Sequence, residues 1–379
     1  MQDQQKVMTA REAVQRFIKP GTHIAFGGVT VGRKPMTIAR EIVRQGVGEL
    51  YVTANFSSWV EEMLAGAGLI KKFETTYFGL EAGMPVAYAI RRAVETGEIE
   101  LLEDYSNLSF AMRALAARMG WPFAPCMGDL GSDLPEFDVF GRAGLRGKDA
   151  NGDWIHPGIP PKKLQVIDDP FEGWGLRPRK FRTGEDTCAN QTNAYRQLGP
   201  KATAYTGKQG VKVALVPPLL PEVVVIRAQK ASVEGTVRVE GVVGSDIDQA
   251  VSGRILIVEC ERVCSAEELR FLPEHNQIPG FFVHAVVEQP FGAHPTSVPS
   301  YYDYDYHWLR RYVQTCNHQS LDFIKRFWRE EVGDTENDWD YFTRKIGWSH
   351  LLNLVADPVY RYNPEYDRFG EMEGGEKRD

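Results

Sequence analysis

Residues 23–46 read HIAFGGVTVGRKPMTIAREIVRQG, and the architecture is decided by how this stretch is read. A short, mainly apolar run, HIAFGG, ends on the pair Gly27–Gly28, and from Met36 apolar residues recur at helical spacing until Gly46. That order predicts a strand, a glycine turn and a helix closed by a glycine. Pro35 lacks an N–H and suits the first position of the helix. A strand that turns on glycines into a helix is a frequent seat for phosphate. This loop has neither the GxGxxG pattern nor a closing Lys-Ser or Lys-Thr, so neither nucleotide fingerprint fits. Gly27 and Gly28 still let the backbone turn tightly and bring amide N–H groups toward a ligand. Arg33 and Lys34 either pair with an anion or sit in water.

The same unit recurs along the chain. ELYVTAN precedes the helical WVEEMLAGAG, KKFETTYFG precedes PVAYAIRRAVETG, and IELLEDYS precedes LSFAMRALAARMG; WPFAPCMG adds a fifth strand. Strand–helix repetition predicts an α/β fold with a largely parallel sheet covered by helices. Between about Gly131 and Gly210 the chain is rich in Gly, Pro, Asp, Lys and Arg and loses periodicity. The sheet pattern resumes with VKVALVPP, PEVVVIRAQ, GRILIVECERV and GFFVHAVVEQP. YYDYDYHWLRRYVQT then opens a largely helical C-terminal part that runs to about Asn353. Residues 1–370 read as one domain, and the tail EMEGGEKRD (371–379) as disordered.

Composition narrows the function. The 379 residues are 43% apolar and 25% charged, as in an ordinary globular protein. A formal net charge of -7 argues against a general nucleic-acid binder, which needs clustered basic charge. The five cysteines (Cys126, Cys188, Cys260, Cys264, Cys316) form no CxxC pair, so neither a disulfide framework nor a zinc site is expected. The N-terminus has no signal-like apolar segment and no run suits a membrane span, so a cytoplasmic location is expected.

Several segments, taken in order, resemble the A (alpha) subunit of class I coenzyme A transferases, most closely the glutaconate type. The A subunit of that class carries GGF, three residues, glycine, one residue and proline. Gly27, Gly28 and Pro35 keep the ends and total length, whereas Val29 replaces the phenylalanine and Gly32 stands one place early. EDYSN (Glu103–Asn107) resembles the family's acidic-Tyr-Ser element. PFAPCMGDLGSDL resembles its strand and Gly-Ser/Thr-Asp loop, here Gly131, Ser132 and Asp133. IDDPF, Ala228–Gln229, IPG at Ile278–Gly280, and FGAHP followed by YYDYD extend the likeness over residues 8–355. The segment at about 172–210 reads as an insertion.

The resemblance implies a reaction. Class I transferases use a glutamate carboxylate as nucleophile toward an acyl-CoA thioester and pass through an enzyme–CoA thioester. The tetrahedral intermediates need hydrogen-bond donors aimed at the oxyanion. In the family the glutamate lies on the B (beta) subunit, in a Ser-Glu-Asn-Gly type motif, and this chain has no SENG. A CoA-transferase B-subunit partner in a heteromer is therefore expected, with acyl-CoA and a carboxylic acid as substrates and no tightly bound cofactor or metal. A CoA-ester hydrolase, a decarboxylase or a non-catalytic scaffold are the rival readings.

The same likeness implies the site residues. Asn107 matches the place of an amide facing the thioester or acid, and with Ser106 it also suits a helix cap. Related ring-opening CoA-ester hydrolases resemble this element but carry a glutamate near it. Gly27, Gly28, Gly32, Arg33, Lys34, Ser106, Gly131, Ser132, Asp133 and His294 complete the expected substrate contacts. Ser132 and Asp133 equally suit a turn, and His294 a turn beside Pro295. Glu81, in FGLEAG, is either a substitute nucleophile or a loop carboxylate at a helix N-terminus. Tyr301, Tyr302, Tyr304 and Tyr306 suit an interface, and RPRKFR (177–182) a solvated loop.

Overall fold

The computed structural model describes residues 6–81, 84, 86–156, 159–170 and 212–367. The expected insertion at 172–210, RPRKFR, Cys188 and the tail at 371–379 lie outside the described residues. The chain divides by packing into two compact units, residues 1–102 with 220–379, and residues 103–219.

The first unit is built on strands β1 (His23–Phe26), β2 (Leu50–Ala54), β3 (Ile70–Thr75) and the start of β4 (Glu100–Asp104), which runs two residues past the unit boundary. β5 (Ala124–Cys126), β6 (Gln165–Asp168) and β7 (Lys212–Val216) belong to the second unit. β8 (Val223–Ser232), β9 (Val237–Arg238), β10 (Ile255–Cys264), β11 (Asn276–Ile278) and β12 (Ala285–Glu288) return to the first. The large sheet runs β11-β9-β8-β1-β2-β3-β4, with β10 beside β8 and β12 beside β10. Pairing of β1 with β2 and β8, of β10 with β8 and β12, and of β2 with β3 is parallel.

β1 lies between β2 and β8, so the chain leaves its carboxyl end toward one side while the neighbour on the other arrives far later in sequence. A crevice forms at such a reversal of strand order, and ligands bind there in open α/β sheets. Strands buried on both faces explain the unbroken apolar runs of HIAF and LYVTA.

Two expectations are corrected. β5, read as a fifth parallel strand, and β7, read as the sheet resuming, instead form with β6 a separate three-stranded antiparallel sheet. Short apolar runs carry no signal of which sheet they join. In the first unit, β9 and β11 are also antiparallel.

Helix α1 (Ala10–Phe17) precedes β1 and was not read from the sequence, whereas α2 (Met36–Gln45), α3 (Trp59–Gly66), α4 (Tyr88–Glu95) and α5 (Asn107–Met119) follow the predicted pattern. Pro35 is the residue before α2 rather than its first turn, and Gly46 closes α2 in the left-handed region at φ 63°. The expected helical C-terminal part is present and covers the first unit. Trp308 and Tyr312 pack against Trp59, and the Tyr312 hydroxyl donates to Glu62 at 2.6 Å. A Cβ at Gly66 would lie 2.2 Å from the Trp328 ring, so a glycine is required for that indole to seat on α3.

This covering buries α2 on nearly every side, polar residues included. Asp338 accepts from Thr37 Oγ1 at 2.8 Å, Arg40 Nε at 2.8 Å and Arg44 Nη2 at 2.9 Å. The Arg40 guanidinium also bonds the carbonyls of Gly292 and His294, so the donors of this buried cation are met inside the chain. The tyrosines expected at an interface serve the chain's own interior: Tyr302 is buried and donates to Glu261 at 2.7 Å, and Tyr301, Tyr304 and Tyr306 pack against the core.

Candidate active site

The predicted site residues fall into two clusters, one in each unit. In the first unit the loop after β1 is held from several directions. Gly27 N–H donates to the Val225 carbonyl at 2.9 Å, and Gly28 N–H to Asp246 Oδ1 at 2.9 Å. Val29 and Gly32 exchange N–H···O bonds of 3.0 and 2.8 Å, which closes a tight two-residue hairpin around Thr30–Val31. Such hairpins have φ above zero at the first central residue, and Thr30 has φ 51°. Gly28 has φ 91°, and a Cβ there would meet the Arg33 carbonyl oxygen at 2.7 Å. Glycine is therefore obligatory at 28, whereas at 32 the nearest backbone atom is 3.2 Å away and φ is ordinary.

Arg33 and Lys34 are neither solvated nor free to meet an anion, which corrects both readings of this pair. Arg33 is 1% exposed, has φ 54°, and sets Nη1 2.6 Å from Asp246 Oδ2; its Nη2 donates to the Val242 carbonyl. Lys34 is fully buried, donates to the Phe56 carbonyl, and lies 4.0 Å from Glu61. A charge is taken out of water only where a partner answers it, and both cations have theirs inside the chain.

Around this loop stand polar groups that the sequence reading missed. Ser58 Oγ donates to the Thr30 carbonyl at 2.9 Å, Asn55 Nδ2 to Ser245 Oγ at 3.0 Å, and Thr76 Oγ1 to Asn55 Oδ1 at 3.0 Å. Asp246 is the chief omission. It opens a short helix, Asp246–Ala250, and the Ser-Asp pair that marks this helix start was the available signal. Glu81 lies in the loop after β3 with φ 63°, well before α4 begins, so it is not at a helix N-terminus. The Tyr77 hydroxyl bonds its carboxylate; burial first and then this partner push the Tyr77 phenol up.

His294 is corrected as a substrate contact. It sits in a turn before a cis bond to Pro295, is 1% exposed, and its Nε2 lies 2.8 Å from Asp305 Oδ2, with the Tyr341 hydroxyl 3.3 Å from Nδ1. Its ring bonds a carboxylate and a phenol rather than backbone carbonyls. Burial holds its pKa below the ordinary histidine value even though Asp305 pulls it up.

In the second unit, Ser106 is the N-cap of α5: its Oγ accepts from Ser109 N–H at 3.1 Å. Asn107 is the exposed first residue of the helix. The Ser106 N–H donates to Asp129 Oδ1 at 2.9 Å, while Asp129 Oδ2 is buried with no partner among the described residues. A Cβ on Gly128 would fall 2.7 Å from Ser106 Oγ, so the segment after β5 must approach α5 through a glycine. Ser132 folds back, its Oγ 2.7 Å from the Asp129 carbonyl and accepting Leu134 N–H at 3.2 Å. Gly131, at φ 84°, and Asp133 are exposed in the same turn. The structure thus brings Ser106, Asn107 and the 128–133 turn together around the start of α5. No group of His, Cys, Asp and Glu suited to a metal ion occurs among the described residues.

Residues 7–289 match the family described as Coenzyme A transferase. The A subunit of glutaconate CoA-transferase of Acidaminococcus fermentans is 32% identical over 358 residues, 94% of this chain and 97% of that protein. The crystal structure of the enzyme from that organism superposes with a TM-score of 0.75 at 31% identity, covering 94% of this chain and 98% of that one. The A subunit of 3-oxoadipate CoA-transferase of Pseudomonas knackmussii is 28% identical, over 79% of this chain and 84% of the relative. The chain belongs to the coenzyme A transferase family, and it resembles the A subunits of that family along almost its whole length.

Proposed function

We propose that this chain is the A subunit of a two-subunit transferase that moves CoA between an acyl-CoA and a carboxylic acid, with the nucleophilic glutamate on the partner B subunit. The end-to-end likeness to the A subunit of glutaconate CoA-transferase carries this reading. The chemistry agrees with it: Asp246 is buried and holds Gly28 and Arg33, Glu61 is buried and accepts Ser58 N–H, and Glu81 is bonded by Tyr77.

In the proposed cycle the partner's glutamate attacks the thioester carbonyl, the C–S bond breaks, and a mixed anhydride and CoA thiolate form. The thiolate attacks the glutamyl carbonyl and releases the first acid as its carboxylate, leaving a glutamyl–CoA thioester. The second acid's carboxylate attacks that thioester, and the returning thiolate takes the new acyl group and frees the glutamate. Each attack creates an oxyanion, for which prepositioned N–H donors do the main catalytic work. Asn107, with its amide at the exposed start of α5, is the proposed side-chain donor. Coenzyme A enters as substrate, and the acyl-CoA pool places the pair in the cytoplasm.

The test is to co-express the chain with the product of the neighbouring reading frame and incubate the pair with an acyl-CoA. Mass spectrometry then finds a CoA adduct on a glutamate of the partner, and labelled acid exchanges into the thioester. A pair that gives no adduct and no exchange refutes the transferase reading. Release of free CoA with no acceptor acid present would favour the hydrolase instead; Asn107 in place of a general base argues against that outcome.

A further inference from the structure

We propose that the donors the glycine hairpin offers a ligand are the successive backbone N–H groups of Thr30 and Val31, and that Arg33 with Asp246 is the clamp that aims them. The oxyanion assignment rests on the transferase reading; the clamp does not. Between Gly27 and Arg33 the N–H groups of Gly27, Gly28, Val29, Gly32 and Arg33 all have acceptors: Val225 O, Asp246 Oδ1, Gly32 O, Val29 O and Ser297 O. No acceptor among the described residues takes the N–H of Thr30 or Val31. Gly27 and Gly28 are also buried, whereas Thr30 and Val31 are half-exposed at the tip. The glycines expected to present amides are thus the hinge, and the tip presents them.

The carbonyls of the same two residues are pinned inward. Thr30 O accepts Ser58 Oγ at 2.9 Å, and Val31 O accepts Ser297 N at 2.8 Å and Ser297 Oγ at 3.0 Å. A peptide is planar, so the pinned Thr30 carbonyl fixes the Val31 N–H, and the Val29 carbonyl, which accepts Gly32 N–H at 2.8 Å, fixes the Thr30 N–H. Two consecutive N–H groups in a turn with φ above zero make an anion-binding concavity.

The clamp explains how this geometry survives. Thr30 and Arg33 both hold φ above zero, at 51° and 54°, a region L-residues with a Cβ avoid, and a β-branched threonine most of all. Such strain persists only where surrounding contacts over-determine it. Asp246 supplies them with both oxygens at once: Oδ1 takes the Gly28 N–H before the hairpin, and Oδ2 takes Arg33 Nη1 after it. Arg33 is bound again through its N–H to Ser297 O at 2.7 Å and through Nη2 to Val242 O. Asp246 and Arg33 are therefore positioning residues that act through the tip amides.

The test uses the assembled A–B pair with acetyl-CoA and glutarate as probes. Arg33→Gly and Asp246→Asn each lower kcat by about tenfold or more with KM changed by less than about threefold, because donors aimed at the transition state are misplaced. The double variant loses no more than about the larger single loss, because both substitutions break the same clamp. Unchanged kcat in both single variants, or a double loss equal to their product, overturns the clamp. Residue-resolved hydrogen exchange on the wild-type chain guards against variants that fail to assemble. Thr30 and Val31 amides exchange fast and those of Gly28 and Arg33 slowly; slow exchange at Thr30 and Val31 overturns the donor assignment. A pair inactive on every acid while showing this exchange pattern refutes the transferase reading and leaves the clamp standing.

Discussion

Replacing Gly28 by alanine isolates the hairpin's geometry with one methyl group. At φ 91° the backbone conformation costs an L-residue about 1–2 kcal/mol. The new Cβ would also lie 2.7 Å from the Arg33 carbonyl oxygen and 3.0 Å from that of Gly32, both backbone atoms that no rotamer change can move. Overpacking of that kind adds about 1–3 kcal/mol. The flanks do not yield: β1 is hydrogen-bonded on both sides, and α2 is held by Glu259 at Ile38 N–H and by Asp338 at Thr37 and Arg40. The hairpin must shift instead, so a penalty of about 2–5 kcal/mol depopulates the clamped loop about 30- to 5000-fold. The assay is steady-state CoA transfer by the A–B pair, with assembly followed by gel filtration. Turnover falls by at least about 30-fold while the pair stays assembled. Gly46→Ala is the control: φ is 63° but nothing lies within 4 Å of the added Cβ, so it loses about 1 kcal/mol of stability and leaves turnover intact. Turnover of Gly28→Ala within about twofold of wild type would refute the argument, because the clash would then have been absorbed without moving the loop.

Other perturbations test the remaining parts. Asn107→Ala, at an exposed position, lowers kcat by about 100-fold or more, while Ser106→Ala removes the cap and costs about 1 kcal/mol; kinetics and melting are read for both. Asp338→Ala leaves Arg40 and Arg44 without their buried carboxylate and destabilises the first unit by about 3–5 kcal/mol in urea titration. Burial raises Asp338, but the charges of Arg40 and Arg44 outweigh it and hold its pKa at about 2. Its contribution to stability is therefore complete above the ordinary aspartate value and is lost as pH falls through about 2, so Asp338→Ala flattens the acid limb of the stability curve. His350 is raised by its hydrogen bond and charge pairing with Asp305, so its contribution is complete below the ordinary histidine value and is lost as pH rises through the higher folded one. An NMR titration showing His350 at or below the free histidine value would contradict that pairing.

What the sequence revealed and what it hid follow from the range of the interactions involved. Strands such as HIAF and helices such as MTIAREIVRQ announce themselves through periodicity within a dozen residues, and the structure places them where that periodicity does. β5 and β7 misled because APC and KVALV are too short to show a second period, and their true partners are each other. A cap at Ser106 or Asn107 was readable because capping is local, and the structure gives it to Ser106. Asp246 was not readable as a clamp, since its partners Gly28 and Arg33 stand more than 200 residues away and no local pattern encodes them. The same distance misled the reading of Arg33–Lys34: a basic pair beside glycines reads as ligand-facing until Asp246, Val242, Phe56 and Glu61 are folded onto it. Gly32 stands where its freedom is not used, and the left-handed positions fall on Thr30 and Arg33. A loop that keeps its glycine hinge at 28 but entrusts the next left-handed position to a buried ion pair exchanges backbone freedom for a fixed aim. An anion-stabilising turn benefits from that exchange, because donors already aimed need no reorganisation when charge develops.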